Sequence, residues 1–264
     1  LHDALPIWLV ADVSPGSLSL APLGPEGSTA ALLAKKDFAR AVVYDAKTGW
    51  RVVDQYPAGR HGRASVTAAI AAELPGTDER VIVTYDAGRG RLILLARQDD
   101  GTYRPDREVE VGQIAIQRMF AANVGGPSPM TLLLCGANRV LAVPAQGRAR
   151  TVQKLASFEP SFDKARYGLV RVGDVNTDGA PELILADYAE HHIEIVAFTP
   201  EAELRSAMKF KVFETPQQES SSYEYGADRQ GGEPRHVRLG DVTGDGKTDL
   251  ILTVHDRIII YPQD

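Results

Sequence analysis

The chain has 264 residues, 44% of them hydrophobic, and its 29 basic and 35 acidic side chains give a formal net charge of −6. A chain of this length and composition can bury a full core, which excludes extensive disorder. The acidic balance argues against a nucleic-acid partner, and no apolar run reaches the roughly 18 residues of a membrane-spanning helix.

The first residues, LHDALPI at 1–7, match no pattern found later in the chain. We expect them to be non-native or disordered, and we expect the natural N-terminus to lie outside this sequence. The segment IWLVADV at 7–13 has the composition of a strand. It has two interpretations: a strand that pairs with the C-terminal repeat and closes a ring, or the last strand of an upstream repeat.

Short runs rich in β-branched and aromatic residues follow, separated by Gly, Pro, Asp or Asn. In chain order they are AVVYDA, WRVVDQY, RVIVTYDA, RLILLAR, TLLLCG, RVLAVPA, ELILADY, IEIVAF, KFKVFE, DLILTV and RIIIYP. This pattern predicts many short strands joined by turns. Only PEAELRSAM, near 200–208, suggests a short helix, and a loop is the equal alternative there.

The single cysteine, Cys135, lies in the apolar run MTLLLCGA. One cysteine excludes an internal disulfide. The apolar neighbours predict a small buried core residue. A single cysteine assigns no compartment, since many bacterial secreted proteins also lack disulfides.

The strand-like runs repeat. Those beginning at Val81, Leu132 and Leu183 are spaced by about 51 residues, and the next begins at Leu250. The last interval is longer by about sixteen residues and contains the polar segment PQQESSSYEYGADRQGGEP, as expected of repeats that take insertions in loops. Four short antiparallel strands in a repeat of roughly 40–55 residues are typical of a β-propeller blade.

We therefore predict an all-β fold, a single β-propeller domain over residues 1–264 with four-stranded antiparallel blades. The blades are predicted near residues 16–56, 64–111, 113–155, 166–214 and 235–261. The last one has three strands. Five blades are a permitted number, and a fragment of a larger propeller is the other interpretation.

Two acidic segments precede apolar strands: GDVNTDGAPELIL from Gly173 and GDVTGDGKTDLIL from Gly240. We call residues 174–182 the first loop and residues 241–249 the second loop. Both place oxygen-bearing side chains at positions 1, 3, 5 and 9, and a main-chain carbonyl at position 7 is available as well. The predicted ligands are Asp174, Asn176, Asp178, Ala180 and Glu182 in the first loop, and Asp241, Thr243, Asp245, Lys247 and Asp249 in the second, with Ala180 and Lys247 acting through the main chain.

This donor set favours Ca²⁺, which takes six to eight oxygen ligands in a flexible geometry, and the sequence predicts two ions. Mg²⁺ demands a stricter octahedron, and zinc prefers His or Cys, which neither loop contains. Gly179 and Gly246 at position 6 permit the sharp turn that points the side chains inward. An EF-hand is excluded, because its Glu at position 12 is replaced by Leu185 and Leu252 in strand-like runs.

Both segments resemble the FG-GAP/VCBS repeat of integrin-alpha-type β-propellers and many bacterial surface proteins. The resemblance implies a Ca²⁺-binding loop that joins the first two strands of a blade. It covers two of the five units; the loops ELPGTDER and NVGGPSP of other units carry their polar residues elsewhere, and we expect no calcium there. The phenylalanine-glycine and glycine-alanine-proline signatures are not clearly present, so the match lies with the calcium-loop half of the repeat.

Calcium in such loops is expected to act as a structural clip, since three carboxylates in one tight turn repel one another without a cation. The expected affinity is that of extracellular modules, about 10⁻⁴–10⁻³ M. This range favours a calcium-rich location: secreted, periplasmic or at the cell surface.

No motif of catalysis is found in the sequence: neither G-x-S-x-G, nor H-E-x-x-H, nor a phosphate-binding glycine loop. His191 and His192 are adjacent and would point to opposite faces of a strand, which favours an exposed hairpin turn over a metal site.

The insertion at 215–234 has a composition suited to adaptable contacts, with a flexible surface loop as the alternative. Its candidate binding residues are Tyr223, Tyr225, Asp228 and Arg229.

Two functional interpretations remain. The first is a non-enzymatic extracellular propeller that binds protein or glycan, with calcium stabilising two blades. The second is the propeller of a polysaccharide lyase or hydrolase, with its active site on the propeller face or in a further domain. A cluster of His, Tyr, Arg and Asp at the central channel would favour the second.

Overall fold

The computed structural model describes residues 17–57, 64–73, 80–124, 130–144, 156–160, 165–199, 203–212 and 233–263. The segment at 7–13 and the insertion residues Tyr223, Tyr225, Asp228 and Arg229 lie outside these ranges. The described residues form strands β1 to β19 and one 3₁₀ turn at Pro25–Gly27. The predicted all-β class is confirmed.

The chain divides into two compact units. The first comprises Leu1–Ala122, Met130–Gly136 and Leu141–Leu155, and the second comprises Asn123–Pro129, Ala137–Val140 and Ala156–Asp264.

Three four-stranded sheets come first along the chain. The first contains β1 (Leu18–Ala21), β2 (Ala30–Lys35), β3 (Phe38–Asp45) and β4 (Gly49–Pro57) in that order. The second contains β5 (Val66–Glu73), β6 (Arg80–Asp86), β7 (Arg91–Arg97) and β8 (Tyr103–Glu110). The third contains β9 (Ile116–Ala122), β10 (Thr131–Gly136), β11 (Val140–Pro144) and β12 (Ala156–Phe158).

The two remaining sheets carry the acidic loops. The fourth contains β13 (Tyr167–Gly173), β14 (Glu182–Asp187), β15 (His192–Phe198) and β16 (Leu204–Lys211). The fifth contains β17 (His236–Gly240), β18 (Asp249–Val254) and β19 (Arg257–Tyr261). Each strand pairs antiparallel with the next in these two sheets. Five antiparallel sheets with the same strand order make the fold propeller-like, as predicted.

In the first unit, both faces of the second sheet are buried. Ile82 and Ile93 pack into a cluster with the first sheet, whereas Val83 and Leu94 pack into a cluster with β9, β10 and β11. Successive strand residues point to opposite faces, so a strand covered on both sides needs an unbroken apolar run. This explains the sequences RVIVTYD and RLILLAR of β6 and β7.

In the second unit, the fourth and fifth sheets share one apolar cluster. Ile184 and Ile193 of the fourth sheet pack with Val237 and Leu252 of the fifth, and all four are fully buried. Gly173 allows this close approach, because a Cβ at this position would lie 2.5 Å from Leu239 Cδ1. The residue that precedes the first loop therefore also sets the spacing between the two sheets.

The helix suggested near 200–208 is wrong for the part that the structure describes, because β16 begins at Leu204 and pairs with β15. Tertiary pairing overrides the local helix preference of LRSAM.

Cys135 lies in β10 and is fully buried, as predicted. Burial raises the pKa of its thiol to about 12.

Candidate functional site

Each acidic loop joins the first two strands of its sheet. The first loop leaves β13 at Gly173, which pairs across the sheet with Glu182. The second leaves β17 at Gly240, which pairs with Asp249. Position 9 is therefore the first residue of the returning strand, and its carboxylate is buried, with Glu182 3% exposed and Asp249 0% exposed.

The two loops share one backbone conformation. Gly179 and Gly246 at position 6 have φ of 85° and 84°, the left-handed region on which the predicted sharp turn depends. Position 4 is left-handed as well, with φ of 58° at Thr177 and 79° at Gly244. The second loop has glycine here, whereas the first places a β-branched residue in a region that such residues rarely adopt.

The position-1 carboxylates bind the turn in the same way. Gly179 donates its N–H to Asp174 Oδ2 at 3.0 Å, and Gly246 donates its N–H to Asp241 Oδ2 at 2.9 Å. This hydrogen bond bends the loop around the position-1 carboxylate. In both loops, the position-1 side chain therefore points toward the turn.

The residues at position 7 were predicted to act through main-chain carbonyls, and their N–H groups have a defined role in the structure. Ala180 donates to Asp178 Oδ1 at 2.8 Å, and Lys247 donates to Asp245 Oδ1 at 2.9 Å. The position-5 carboxylates are thus held at equivalent places in the two loops.

Within the first loop, three predicted ligands meet at one amide group. Asn176 Nδ2 lies 3.0 Å from Asp178 Oδ2 and 2.8 Å from Glu182 Oε1. The amide N–H₂ carries partial positive charge between two carboxylates, which is the electrostatic role of a cation. The second oxygen of Glu182, Oε2, accepts the Val175 N–H at 3.0 Å.

The charge of the first loop is poorly compensated. Burial, and then the nearby carboxylates of Asp178 and Asp174, raise the pKa of Glu182 above its ordinary value. Desolvation and like charges both disfavour the ionised form. A cation in this loop would relieve both effects.

The second loop treats its position-9 carboxylate differently. Asp249 Oδ2 accepts the N–H groups of Val242 at 2.9 Å and Thr243 at 3.1 Å. Its Oδ1 accepts the N–H of Gln263 at 3.2 Å, from beyond the end of β19. The Val242 N–H is the largest of the causes that lower the pKa of Asp249. Three main-chain donors therefore stabilise the charge of Asp249. The charge of Glu182, at the same position of the first loop, has one main-chain donor.

Sequence reasoning did not include Gln263. Besides its N–H contact with Asp249, its Oε1 accepts the N–H of Thr248 at 3.2 Å. No motif contains it, and only the pairing of β18 with β19 brings it to the loop. The pairing of β18 with β19 does indicate this contact. Leu250 pairs with Tyr261, so Asp249 lies close to the residues that follow Tyr261.

Among the described residues, no three or more His, Cys, Asp or Glu side chains lie close enough together to hold a metal ion as arranged. Calcium also takes amide and main-chain carbonyl oxygens, so a calcium loop does not require such a cluster. The oxygen-bearing side chains of the first loop are of the types that Ca²⁺ takes. Asn176, Asp178 and Glu182 already lie together, with the Asn176 Nδ2 toward the two carboxylates and its Oδ1 accepting the Asp178 N–H.

The histidines predicted to form a hairpin turn lie at the junction of β14 and β15. His191 is in the turn with φ of 59°, and His192 begins β15 opposite Asp187. Both are half-buried, whereas an exposed turn was expected. His191 Nδ1 lies 3.3 Å from the main-chain oxygen of Glu233.

A comparison with models of protein families finds no match. A comparison with curated proteins also finds none. Solved structures do match, among them the crystal structure of a protein from Lactobacillus plantarum, a structural genomics target with 12% sequence identity and a TM-score of 0.57. The match covers 89% of this chain and 64% of that chain, so this chain spans less than two thirds of that protein's length. At this identity the likeness shows the fold alone, and that fold is propeller-like.

No helix among the described residues is long and apolar enough to cross a membrane.

Proposed function

We propose that this protein is a non-enzymatic β-propeller of the FG-GAP/VCBS type that binds a protein or glycan outside the cytoplasm, with Ca²⁺ in the two acidic loops stabilising the blades that carry them. The observation that carries the calcium proposal is the shared construction of the loops. Both place Asp, Asn or Thr, Asp and an acid on the same left-handed turn, between the first two strands of a sheet.

The ion would be held by the side chains at positions 1, 3, 5 and 9 and by the main-chain carbonyl of position 7. In the first loop these are Asp174, Asn176, Asp178, Glu182 and Ala180; in the second they are Asp241, Thr243, Asp245, Asp249 and Lys247. Oxygen donors of this kind in a flexible loop suit Ca²⁺ better than Mg²⁺.

The position of the loops supports a structural role for the ion. Each loop closes on a cross-strand pair, Gly173 with Glu182 and Gly240 with Asp249. An ion held there ties the end of one strand to the start of the next. The expected result is a more stable sheet junction rather than a site open to substrate.

Partner recognition is proposed for the insertion that carries Tyr223, Tyr225, Asp228 and Arg229. Tyrosine and arginine supply large contact area and directional hydrogen bonds, and serine and glycine neighbours adapt the loop to its partner. The segment SSSYEYGADRQGG combines all four residue types. A glycan array and a pull-down with the purified chain test this part of the proposal; loss of a captured ligand in a Tyr223→Ala, Tyr225→Ala variant would support it.

The calcium proposal is tested by thermal unfolding in EDTA and in millimolar CaCl₂, with MgCl₂ as the second cation. We expect the melting temperature to rise by several degrees in calcium and by less in magnesium. Asp178→Ala should reduce the rise, whereas Asp106→Ala, an exposed aspartate of β8 outside both loops, should leave it unchanged. Superimposable curves in EDTA and calcium would reject the calcium proposal.

A further inference from the structure

The chain beyond β19 returns to the second loop and contacts it twice. Gln263 donates its N–H to Asp249 Oδ1 at 3.2 Å, and its Oε1 accepts the N–H of Thr248 at 3.2 Å. Thr248 and Asp249 are the last two residues before the apolar part of β18. One residue therefore fastens the returning end of the loop through both its main chain and its side chain.

Among the residues of the fourth sheet that the structure describes, no counterpart of this contact is found. Ile184 of β14 pairs with Ile195, and the equivalent Ile251 of β18 pairs with Ile260. Three residues further along, Phe198 occupies the place that Gln263 has in the fifth sheet. A phenylalanine side chain has no acceptor to offer a loop N–H.

The position-9 carboxylates differ accordingly. In the second loop, every oxygen of Asp249 accepts at least one main-chain N–H. In the first loop, Glu182 Oε2 accepts the Val175 N–H, and Oε1 lies beside the side-chain amide of Asn176. Two of the donors to Asp249, the N–H groups of Val242 and Thr243, belong to the second loop itself, and the third comes from Gln263 beyond β19. In the first loop, by contrast, one oxygen of the acid depends on a side-chain amide, which can rotate away. The second loop is thus closed by more main-chain donors than the first.

We infer that Gln263 is a latch that holds the returning end of the second loop in place without an ion, so that calcium adds less stability to the second loop than to the first. This inference rests on the proposed function, because it presupposes that calcium binds the loops. The side chain acts through its acceptor: Gln263 Nε2 is buried and has no hydrogen-bond partner among the described residues, which costs free energy. The side-chain part of the latch is therefore the contact between Gln263 Oε1 and the Thr248 N–H.

The first experiment compares the calcium-induced rise in melting temperature among loop variants. Asp178→Ala should remove most of the wild-type rise, and Asp245→Ala should remove little of it. Gln263→Met keeps the side-chain volume and removes the acceptor. It should enlarge the rise by about 2–4 °C, the shift that one net hydrogen bond produces in a chain of this size. The substitution also removes the unsatisfied Nε2, and this effect is the same in EDTA and in calcium. Only the difference in melting temperature between the two buffers therefore measures the latch.

A double variant separates the latch from a general loss of stability. In the Gln263→Met background, Asp245→Ala should cancel the increase that Gln263→Met adds to the calcium-induced rise in melting temperature. The reason is that this added calcium dependence lies in the second loop. Gln55→Ala is the matched control, because Gln55 accepts an exposed hydrogen bond from Arg40 within the first sheet, outside both loops, and should change no calcium response. The inference is overturned if Asp245→Ala alone removes as much of the rise as Asp178→Ala, or if Gln263→Met lowers both curves equally.

Amide hydrogen exchange distinguishes failure of the latch from failure of the proposed function. In EDTA, Gln263→Met should speed exchange of the Thr248 N–H while exchange of the Ala180 N–H in the first loop stays unchanged. A wild-type protein without any calcium response rejects the proposed function, and with it the assignment of calcium dependence to the first loop. Unchanged exchange at Thr248 rejects the latch itself, whatever calcium does.

Discussion

The first and second loops have the same turn and the same spacing, yet they hold their buried acids in opposite ways. Glu182 has a raised pKa because it is buried beside Asp178 and Asp174. Asp249 has a lowered pKa because main-chain N–H groups surround it, that of Val242 first. The comparison shows that a repeated motif defines the backbone and the ligand types, whereas the contacts that each acid makes determine how much charge is left for an ion.

The largest expected effect comes from truncating the position-9 acids in EDTA. Asp249→Ala leaves three main-chain N–H donors without their acceptor, whereas Glu182→Ala leaves one. A donor that loses its acceptor destabilises the folded state, by less where water can replace the acceptor, and Val242 and Thr243 are exposed residues. We still expect the larger fall in melting temperature for Asp249→Ala, because more donors lose their acceptor. Thermal unfolding of the two variants measures this difference, and equal falls would mean that the loops are equivalent.

A neutral substitution at Glu182 should have opposite effects in the two buffers. In EDTA, Glu182→Gln removes a buried charge from beside Asp178 and should raise the melting temperature by about 2–4 °C. In calcium, the same variant lacks a ligand and should lose much of the rise. The two melting curves of the variant therefore converge. Asp249→Asn is the matched change and should lower the melting temperature in EDTA, because the lowered pKa of Asp249 means that the fold stabilises its ionised form.

The pH dependence in EDTA follows from the same two acids. A raised folded-state pKa means that ionisation of Glu182 weakens the fold as pH rises above the unfolded pKa, which is near the ordinary glutamate value of 4.5. The advantage of Glu182→Gln over the wild type should therefore fade as pH falls from 7 to about 4. For Asp249, the stabilisation is present above the unfolded pKa and is lost as pH falls through its lowered folded pKa. Melting temperatures of wild type and Glu182→Gln from pH 7 to 4, and of wild type and Asp249→Asn from pH 7 to below the ordinary aspartate pKa of 3.8, test both signs. Parallel curves would contradict them.

The smallest expected effect concerns position 4, where both loops are left-handed. Thr177→Gly should relieve backbone strain and stabilise the first loop by up to about 1 kcal/mol, less the loss of the Thr177 Oγ1 contact with the Asn176 oxygen. Gly244→Ala imposes the same strain on the second loop and should destabilise it by about as much. Chemical denaturation resolves these changes. Shifts of the same sign in both variants would show that the left-handed turn is not the source.

Much of the fold was predictable because its signals are local. Alternating and continuous apolar runs with Gly, Asp and Pro between them mark strands and turns wherever they occur. Their repetition at about 51 residues predicted the sheets. The two loops were located in the same way, since Asp174 to Glu182 and Asp241 to Asp249 are contiguous. The helix suggested near 200–208 was wrong because pairing with β15, not local preference, determines the conformation from Leu204 onward.

The sequence by itself determined that these two stretches form the same acidic turn before an apolar strand. Only the tertiary structure decided that Glu182 is buried beside two other carboxylates, while Asp249 gains a further main-chain donor from Gln263. The physical reason is distance along the chain. The turn arises within nine residues, but the donor Gln263 comes from the far end of β19 and reaches the loop only after β18 and β19 have paired.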